Sequence, residues 1–473
     1  MGLSNGFLKY ERSTGSYAPV AERVKHYNEF HTAPAEDILR DQGARCMDCG
    51  IPYCHSLGCP NANLIPEWND LVYRDDWYQA YQRLSATSAF PEITGRICPA
   101  PCETSCTLSI NSEPVSIKQI ELAIIERAFK EGWVKPELPS SENGKSVAII
   151  GSGPAGLTAA VRLRKAGFKV TVFEKSNRIG GLLRYGIPNF KLEKWVLDRR
   201  IEIMEQSGIE FETDVNIGED LSVRYLKRSF DVVLLSMGAG RPRDVPAGGR
   251  GLDGIFFAME YLTSSALYNH GDHDHPSINA QGKKVLVIGG GDTGSDCVGT
   301  AIRQGASSVH QIEIMPKPLD WKDPWNPQWP DWPAILRTST SQEEGCTRDW
   351  GISTTQFTGT GIKVSQAHCA RVNWEMGRNG RMKPVDIPGS EFTIPVDLVF
   401  LALGFVHVEQ EGFLESLGLD CDPRGNIKID KNYQTSQEGI FAAGDCHTGA
   451  SLVIRAMARG REAANSIIGS FTR

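Results

Sequence analysis

The chain has 473 residues, a 40% apolar composition and a formal net charge of −7. It is too long for one core and is expected to form about three domains, with an ordinary globular apolar fraction. The acidic balance without a long basic run argues against nucleic acid as a partner, and no apolar run reaches the ~18 residues of a membrane span.

Residues 1–12 lack the apolar region of a secretory signal, so a cytoplasmic location is expected. Up to residue 143 there is no β–α–β pattern, only short helices and loops around cysteines. Twelve cysteines are many for a reducing compartment, and seven lie between Cys46 and Cys106, which points to metal rather than disulfides. The spacing is Cys46-x2-Cys49-x4-Cys54-x4-Cys59, then Cys98-x3-Cys102-x3-Cys106. Structural zinc usually shows two C-x2-C pairs, and one is present here; with redox domains downstream, iron–sulfur is favoured over zinc or free thiols.

Two four-iron clusters need eight ligands, and these cysteines leave one short. Ile117, Ile120, Ile124, Ile125 and Ala128 form an apolar stripe at helical spacing, with Lys118, Gln119, Glu126 and Arg127 expected to face away. Glu121 lies inside the stripe. A buried carboxylate needs a partner, either a cluster iron or an ion pair such as Arg96, and the pattern leaves both open. His55 and Glu103 are weaker candidates for the eighth ligand.

Residues 137–144 are polar and turn-rich and read as a linker. An α/β texture follows. The strand-like run Ser146 to Ile150 enters Gly151-Ser152-Gly153-Pro154-Ala155-Gly156, a helical pattern runs from Leu157, and a second strand, Lys169 to Phe173, ends at Glu174 and Lys175. This is a dinucleotide fingerprint in its proper context: Gly151 makes the turn, Gly153 admits a pyrophosphate, Gly156 lets helix and strand pack, and Glu174 accepts from ribose hydroxyls. The glycine-bounded loop through Gly181, Leu182 and Gly186 could lie against a flat ring. A later strand, Asp231 to Ser236, runs into Gly238.

A second fingerprint follows the strand Lys284 to Ile288: Gly289-Gly290-Gly291-Asp292-Thr293-Gly294, then a helix and the strand Val309 to Ile314 carrying Glu313. One flavin dinucleotide and one nicotinamide dinucleotide is the economical reading. The residue at the offset of Glu174 is Ile312, one before Glu313. An acid at that ribose would favour NADH over NADPH, unless a one-residue slip turns it away. Trp321 to Pro333 is too rich in proline for a helix or central strand and reads as an ordered loop.

The final strands, Val396 to Gly404 and Gly439 to Asp445, the latter ending in Gly444-Asp445, echo the first fingerprint region, so the second dinucleotide domain is expected to be inserted into the first. The fold class is α/β: two Rossmann-like dinucleotide-binding domains, for FAD and NAD(P)H, preceded by an α-helical iron–sulfur domain. The expected boundaries are 1–143 for the cysteine domain, 144–245 with 395–473 for the flavin domain, and 246–394 for the nicotinamide domain. His270, His273 and His275 are expected to be solvated, and Cys297, Cys346, Cys369, Cys421 and Cys446 to have no redox role.

Together these residues resemble the small (β) subunit of glutamate synthase, over essentially the whole chain; the same module occurs in the N-terminal part of dihydropyrimidine dehydrogenase. Trp325 to Pro330 looks like the glutamate synthase branch. The resemblance implies that Cys46, Cys49, Cys54 and Cys106 hold one [4Fe-4S] cluster. Cys59, Cys98 and Cys102 would hold the other, with Glu121 at the position of the family's fourth ligand. It also places Glu174 and Asp445 against FAD. The implied activity is oxidation of NAD(P)H through FAD and the clusters, delivering electrons to a large (α) subunit that makes L-glutamate from L-glutamine and 2-oxoglutarate. The competing readings are the same module serving ferredoxin, sulfide or polysulfide, or pyrimidine reduction, and a flavin disulfide reductase, which needs a C-x-x-C beside the flavin.

Overall fold

The computed structural model describes residues 2–319, 329–331, 335–377 and 380–471. Most of the tryptophan- and proline-rich loop therefore lies outside the described residues, Trp329 to Asp331 excepted.

The N-terminal region is helical. Glu36–Ala44, Ile65–Tyr73, Trp77–Ser85, Pro91–Ile97 and Ile117–Lys130 pack around Trp68, Leu84, Phe90, Ile120 and Ile124, all at most 1% exposed. The stripe beginning at Ile117 is buried as its spacing requires. Gln119, expected to face away, is buried as well, because a neighbouring unit covers that side of the helix.

Two five-stranded parallel sheets follow. The first has the order Ile440–Ala442, Val232–Leu235, Ser146–Ile150, Lys169–Phe173, Ile209–Glu212. The second runs Thr347–Trp350, Ser308–Glu313, Lys284–Ile288, Leu398–Leu401, Ile255–Phe257. Each fingerprint strand is central, apolar on both faces and β-branched, as a parallel sheet covered on both sides demands.

One expectation fails here. The boundary expected at residue 395 places Leu398–Leu401 in the flavin domain, but the strand pairs with Lys284–Ile288 in the second sheet. It plays the part that Val232–Leu235 plays in the first, and both are fully buried four-residue strands ending near glycine. Their periodicity carries no information about which sheet they join. Sequence patterning also gave no sign of the antiparallel sheet of Ile352–Thr360, Lys363–Met376, Met382–Asp386 and Phe392–Pro395, whose strands are mostly exposed on one face.

The units are joined by buried charges. Glu92, with a wholly buried side chain, accepts from Arg200 at 2.6 and 2.9 Å, tying the cysteine domain to the helix Lys194–Gln206. Glu344 takes both Arg23, at 2.8 Å, and Arg303, at 2.5 Å. Removing one partner of such a pair leaves the other charge buried and uncompensated. Glu92→Ala is expected to lower unfolding stability by about 3–5 kcal/mol, read as a lower denaturant midpoint, whereas the double change Glu92→Ala with Arg200→Met recovers part of the loss.

Candidate functional site

The two glycine turns are built alike. Gly151 and Gly289 have φ of +100° and +126°, and each turn's second glycine caps a helix, Pro154–Lys165 or Asp292–Arg303. A Cβ on Gly156 would lie 2.2 Å from Gly151 O, and one on Gly294 2.2 Å from Gly289 O, so only glycine permits this approach of helix to strand. At Gly153 and Gly291 a Cβ would meet nothing within 4 Å. That open side is where unpaired helix-terminal N–H groups can receive a phosphate.

The two acids are equivalent by register. Ile150 pairs with Phe173 and Ile288 with Ile312, so Glu174 and Glu313 each stand one residue past the strand pairing, beside their turns. Glu174 is buried and accepts from Ser152 N at 3.1 Å, Ser152 Oγ at 2.6 Å and Ser176 N at 2.9 Å. Glu313 accepts from Gly290 N at 2.6 Å and Met315 N at 3.2 Å. The one-residue difference in sequence offset is absorbed before the second strand, and Glu313 faces its turn rather than away.

A cavity of 1490 Å³ opens beyond the first fingerprint. Gly151, Gly153, Pro154, Ala155, Glu174, Lys175, Gly181, Leu182, Gly238 and Asp445 line it. Gly156, Gly186 and Gly444 are not among its lining residues. Burial pushes the Asp445 carboxyl up to about 6, against the hydrogen bond from Ser451. Toward the second fingerprint the cavity wall includes Asp292 but not Gly289, Gly291, Thr293, Gly294 or Glu313. Sequence reasoning missed several wall residues: Gln119, Lys191, Asp296 and Arg337. Lys191 Nζ lies 2.5 Å from Asp296, bridging the two dinucleotide units. These residues have no motif around them and come together only through the packing of units.

The cysteines form two sets. Cys54 feels the charges of Cys106, Cys46 and Cys49, while Cys102 feels those of Cys59, Cys98 and Glu121. The first set is half-exposed and the second is buried. Burial pushes Cys46 and Cys59 to about 11, Cys98 to about 12 and the Glu121 carboxyl to about 7. Backbone N–H groups oppose this at the sulfurs: Asn61 and Asn63 at Cys59, Val115 and Leu108 at Cys106, and Ala100 at Cys98, where N···Sγ is 3.4 Å. Asp48, Ala62 and Ala100 hold left-handed backbone in or beside the cysteine segments, with φ of 50°, 49° and 57°. Such conformations cost about 1–3 kcal/mol each and gather at sites where geometry is over-determined.

Glu121 accepts from Thr94 Oγ1 at 2.6 Å. Arg96, its candidate ion-pair partner, is engaged with Glu29 at 2.9 Å and Glu126 at 2.8 Å instead. His55 Nδ1 is held by Asn63 O at 2.9 Å, and Glu103 pairs with Arg12 at 2.6 Å. Among the described residues no three such side chains converge on a single ion. Of the described cysteines, Cys98 alone lines the cavity, so no dithiol stands beside it. Cys297, Cys369 and Cys446 are buried and Cys421 is exposed. His270, expected to be solvated, is buried against Tyr185 and lowered to about 4 by that burial, while His273 and His275 are exposed. Among the described residues no helix is long and apolar enough to cross a membrane.

Fold and site define a pyridine-nucleotide oxidoreductase with an iron–sulfur domain in front. Residues 145–460 match the pyridine nucleotide-disulphide oxidoreductase family, and residues 23–133 match dihydropyrimidine dehydrogenase domain II, 4Fe-4S cluster. Mycobacterium tuberculosis FprA has the same fold, with a TM-score of 0.56 at 18% identity over 69% of this chain and 85% of that one. The glutamate synthase [NADPH] small chain of Mycobacterium tuberculosis is 49% identical over 99% of this chain and 96% of its own. The glutamate synthase [NADH] of Schizosaccharomyces pombe is 44% identical over 98% of this chain, which spans 22% of that longer protein. The chain belongs to the glutamate synthase small-chain family.

Proposed function

We propose that the chain is the electron-input subunit of glutamate synthase, oxidising NAD(P)H and feeding a large subunit that forms L-glutamate from L-glutamine and 2-oxoglutarate. The observation that carries this reading is Cys98, which belongs to the inner thiol set and also lines the cavity of the first fingerprint. A two-electron site and a one-electron relay thus share a wall. When bound, FAD supplies hydride acceptance and [4Fe-4S] clusters supply one-electron steps.

The chain's own residues do the placing. Gly151, Gly153, Pro154, Ala155 and Gly156 would hold the flavin pyrophosphate, and Glu174, fixed by Ser152, its ribose. Lys175, Gly181, Leu182, Gly186, Gly238, Gly444 and Asp445 would surround the rest of FAD. Gly289, Gly291, Asp292, Thr293, Gly294 and Glu313 would hold the nicotinamide dinucleotide. Cys46, Cys49, Cys54 and Cys106 would ligate an outer cluster; Cys59, Cys98, Cys102 and Glu121 an inner one. Among these, Glu121 fits because its carboxyl is buried, bonded to one hydroxyl and free of any ion pair among the described residues. The place of work is cytoplasmic.

Anaerobically purified protein is expected to carry iron and acid-labile sulfide equivalent to two four-iron clusters. It should reduce artificial acceptors with NAD(P)H, and make glutamate only when the large subunit is added. Glutamate formation by the single chain would refute the division of labour. Glu121→Ala is expected to perturb the inner cluster and leave flavin content near normal; an EPR spectrum and iron content equal to the parent's would remove Glu121 from the ligand set.

The preferred nucleotide in this proposal is NADH. Glu313 is bonded to the second turn as Glu174 is to the first, and an anion there accepts from ribose hydroxyls and repels a 2′-phosphate. Two cations stand nearby over the Trp350 ring, Lys317 at 5.3 Å and Arg348 at 4.9 Å, and Arg348 is engaged with Thr338 Oγ1. Steady-state kcat/KM is expected to favour NADH, and Glu313→Ala to narrow the gap by improving NADPH. A tenfold preference of the parent for NADPH would overturn the assignment.

A further inference from the structure

The cysteine domain contains a buried arginine that makes no ion pair among the described residues. Arg45 immediately precedes Cys46 and is 3% exposed. Its Nη1 donates to Tyr10 O and its Nη2 to Glu113 O at 2.6 Å, both backbone carbonyls. Its Nε–H is buried and meets no acceptor. Two other arginines of the cysteine domain hold carboxylates: Arg23 has Glu344 and Arg96 has Glu29. Arg45 makes no ion pair among the described residues. Burial and then Arg12 oppose its charge, while Glu113 and Cys106 favour it.

A buried guanidinium held only by backbone carbonyls, with no carboxylate in ion-pair contact, is destabilising. It is retained here against the outer thiol set. Four thiolates and bridging sulfides make a four-iron cluster anionic, and N–H groups aimed at its sulfurs raise its reduction potential. The inner set has its own cations, Lys118 acting on Cys98 and Arg461 on Cys59.

We infer that Arg45 is the counter-charge of the outer cluster, its Nε–H donating to a cluster sulfur, and that it sets that cluster's reduction potential. The inference rests on the ligand sets proposed above. It accounts for both anomalies at once, the unpaired cation and the orphaned donor, and it confines the effect to the cluster nearer the surface. Lysine at 45 would keep the charge but not the fork that holds Tyr10 O and Glu113 O while aiming Nε elsewhere.

The test is an EPR-monitored redox titration of anaerobic holoprotein, with iron counted in each sample. The outer signal is the one that Cys49→Ser removes. Arg45→Gln is expected to lower the reduced-to-oxidised ratio of that signal about tenfold at fixed poise, about 59 mV more negative for one electron. Arg45→Lys, which keeps the charge without the Nε–H, should recover only part of the shift, and the inner cluster and flavin should titrate as in the parent. If Arg45→Gln fails to retain the outer cluster, retention by Arg45→Lys supports the role of charge. Loss of the cluster from both variants, or an unmoved outer potential in fully loaded Arg45→Gln, overturns the inference. A parent protein without iron would instead overturn the ligand assignment.

Discussion

Everything in the two nucleotide-binding units depends on how closely a helix can approach a strand end. At Gly156 and Gly294 the helix lies so near the turn that a single added carbon would sit 2.2 Å from a carbonyl oxygen. That contact brings the helix N-terminus level with the end of the sheet. The amides that can face phosphate and the acid that can face ribose then stand on one rim. Relaxing the contact would separate these groups even if each residue remained in place.

The same rim explains how cofactor and relay are brought together. The cysteine domain packs its helix Ile117–Lys130 over the first unit, so that Lys118 and Gln119 join the cavity wall and Cys98 comes with them. Ion pairs that cross between the units, Glu92 with Arg200 and Glu126 with Arg199, hold that placement. Such pairs add little net stability over apolar packing, but they tolerate only one register between the units they join. The placement of Cys98 against the cavity is therefore specified by charge as much as by apolar burial.

Much of this was legible in the sequence because it is local. The fingerprints are contiguous turns with their helices and strands, and the seven cysteines announce themselves by spacing. Glu121 stood out because an acid broke an apolar stripe. What the sequence hid is non-local. Leu398–Leu401 looks the same whether it joins one parallel sheet or the other, since full burial erases periodicity. Gln119 looked solvent-facing because its helix was read alone, without the unit that covers it. Arg45 carried no motif; its meaning lies in partners it lacks, which only packing can reveal. The offset between Ile312 and Glu313 was resolved by strand register rather than by counting residues from the glycine.

The first sheet is completed by Ile440–Ala442, and the helix Val453–Phe471 begins at the cavity rim and packs along Pro154–Lys165. All the strands of the second sheet lie between those segments and the other strands of the first. During synthesis the second sheet can therefore close while the first still lacks an edge strand and its covering helix. The apolar flank of Val232–Leu235 stays uncovered until Ile440–Ala442 has been made. The sheet whose fingerprint comes first along the chain is therefore the later of the two to gain all of its strands.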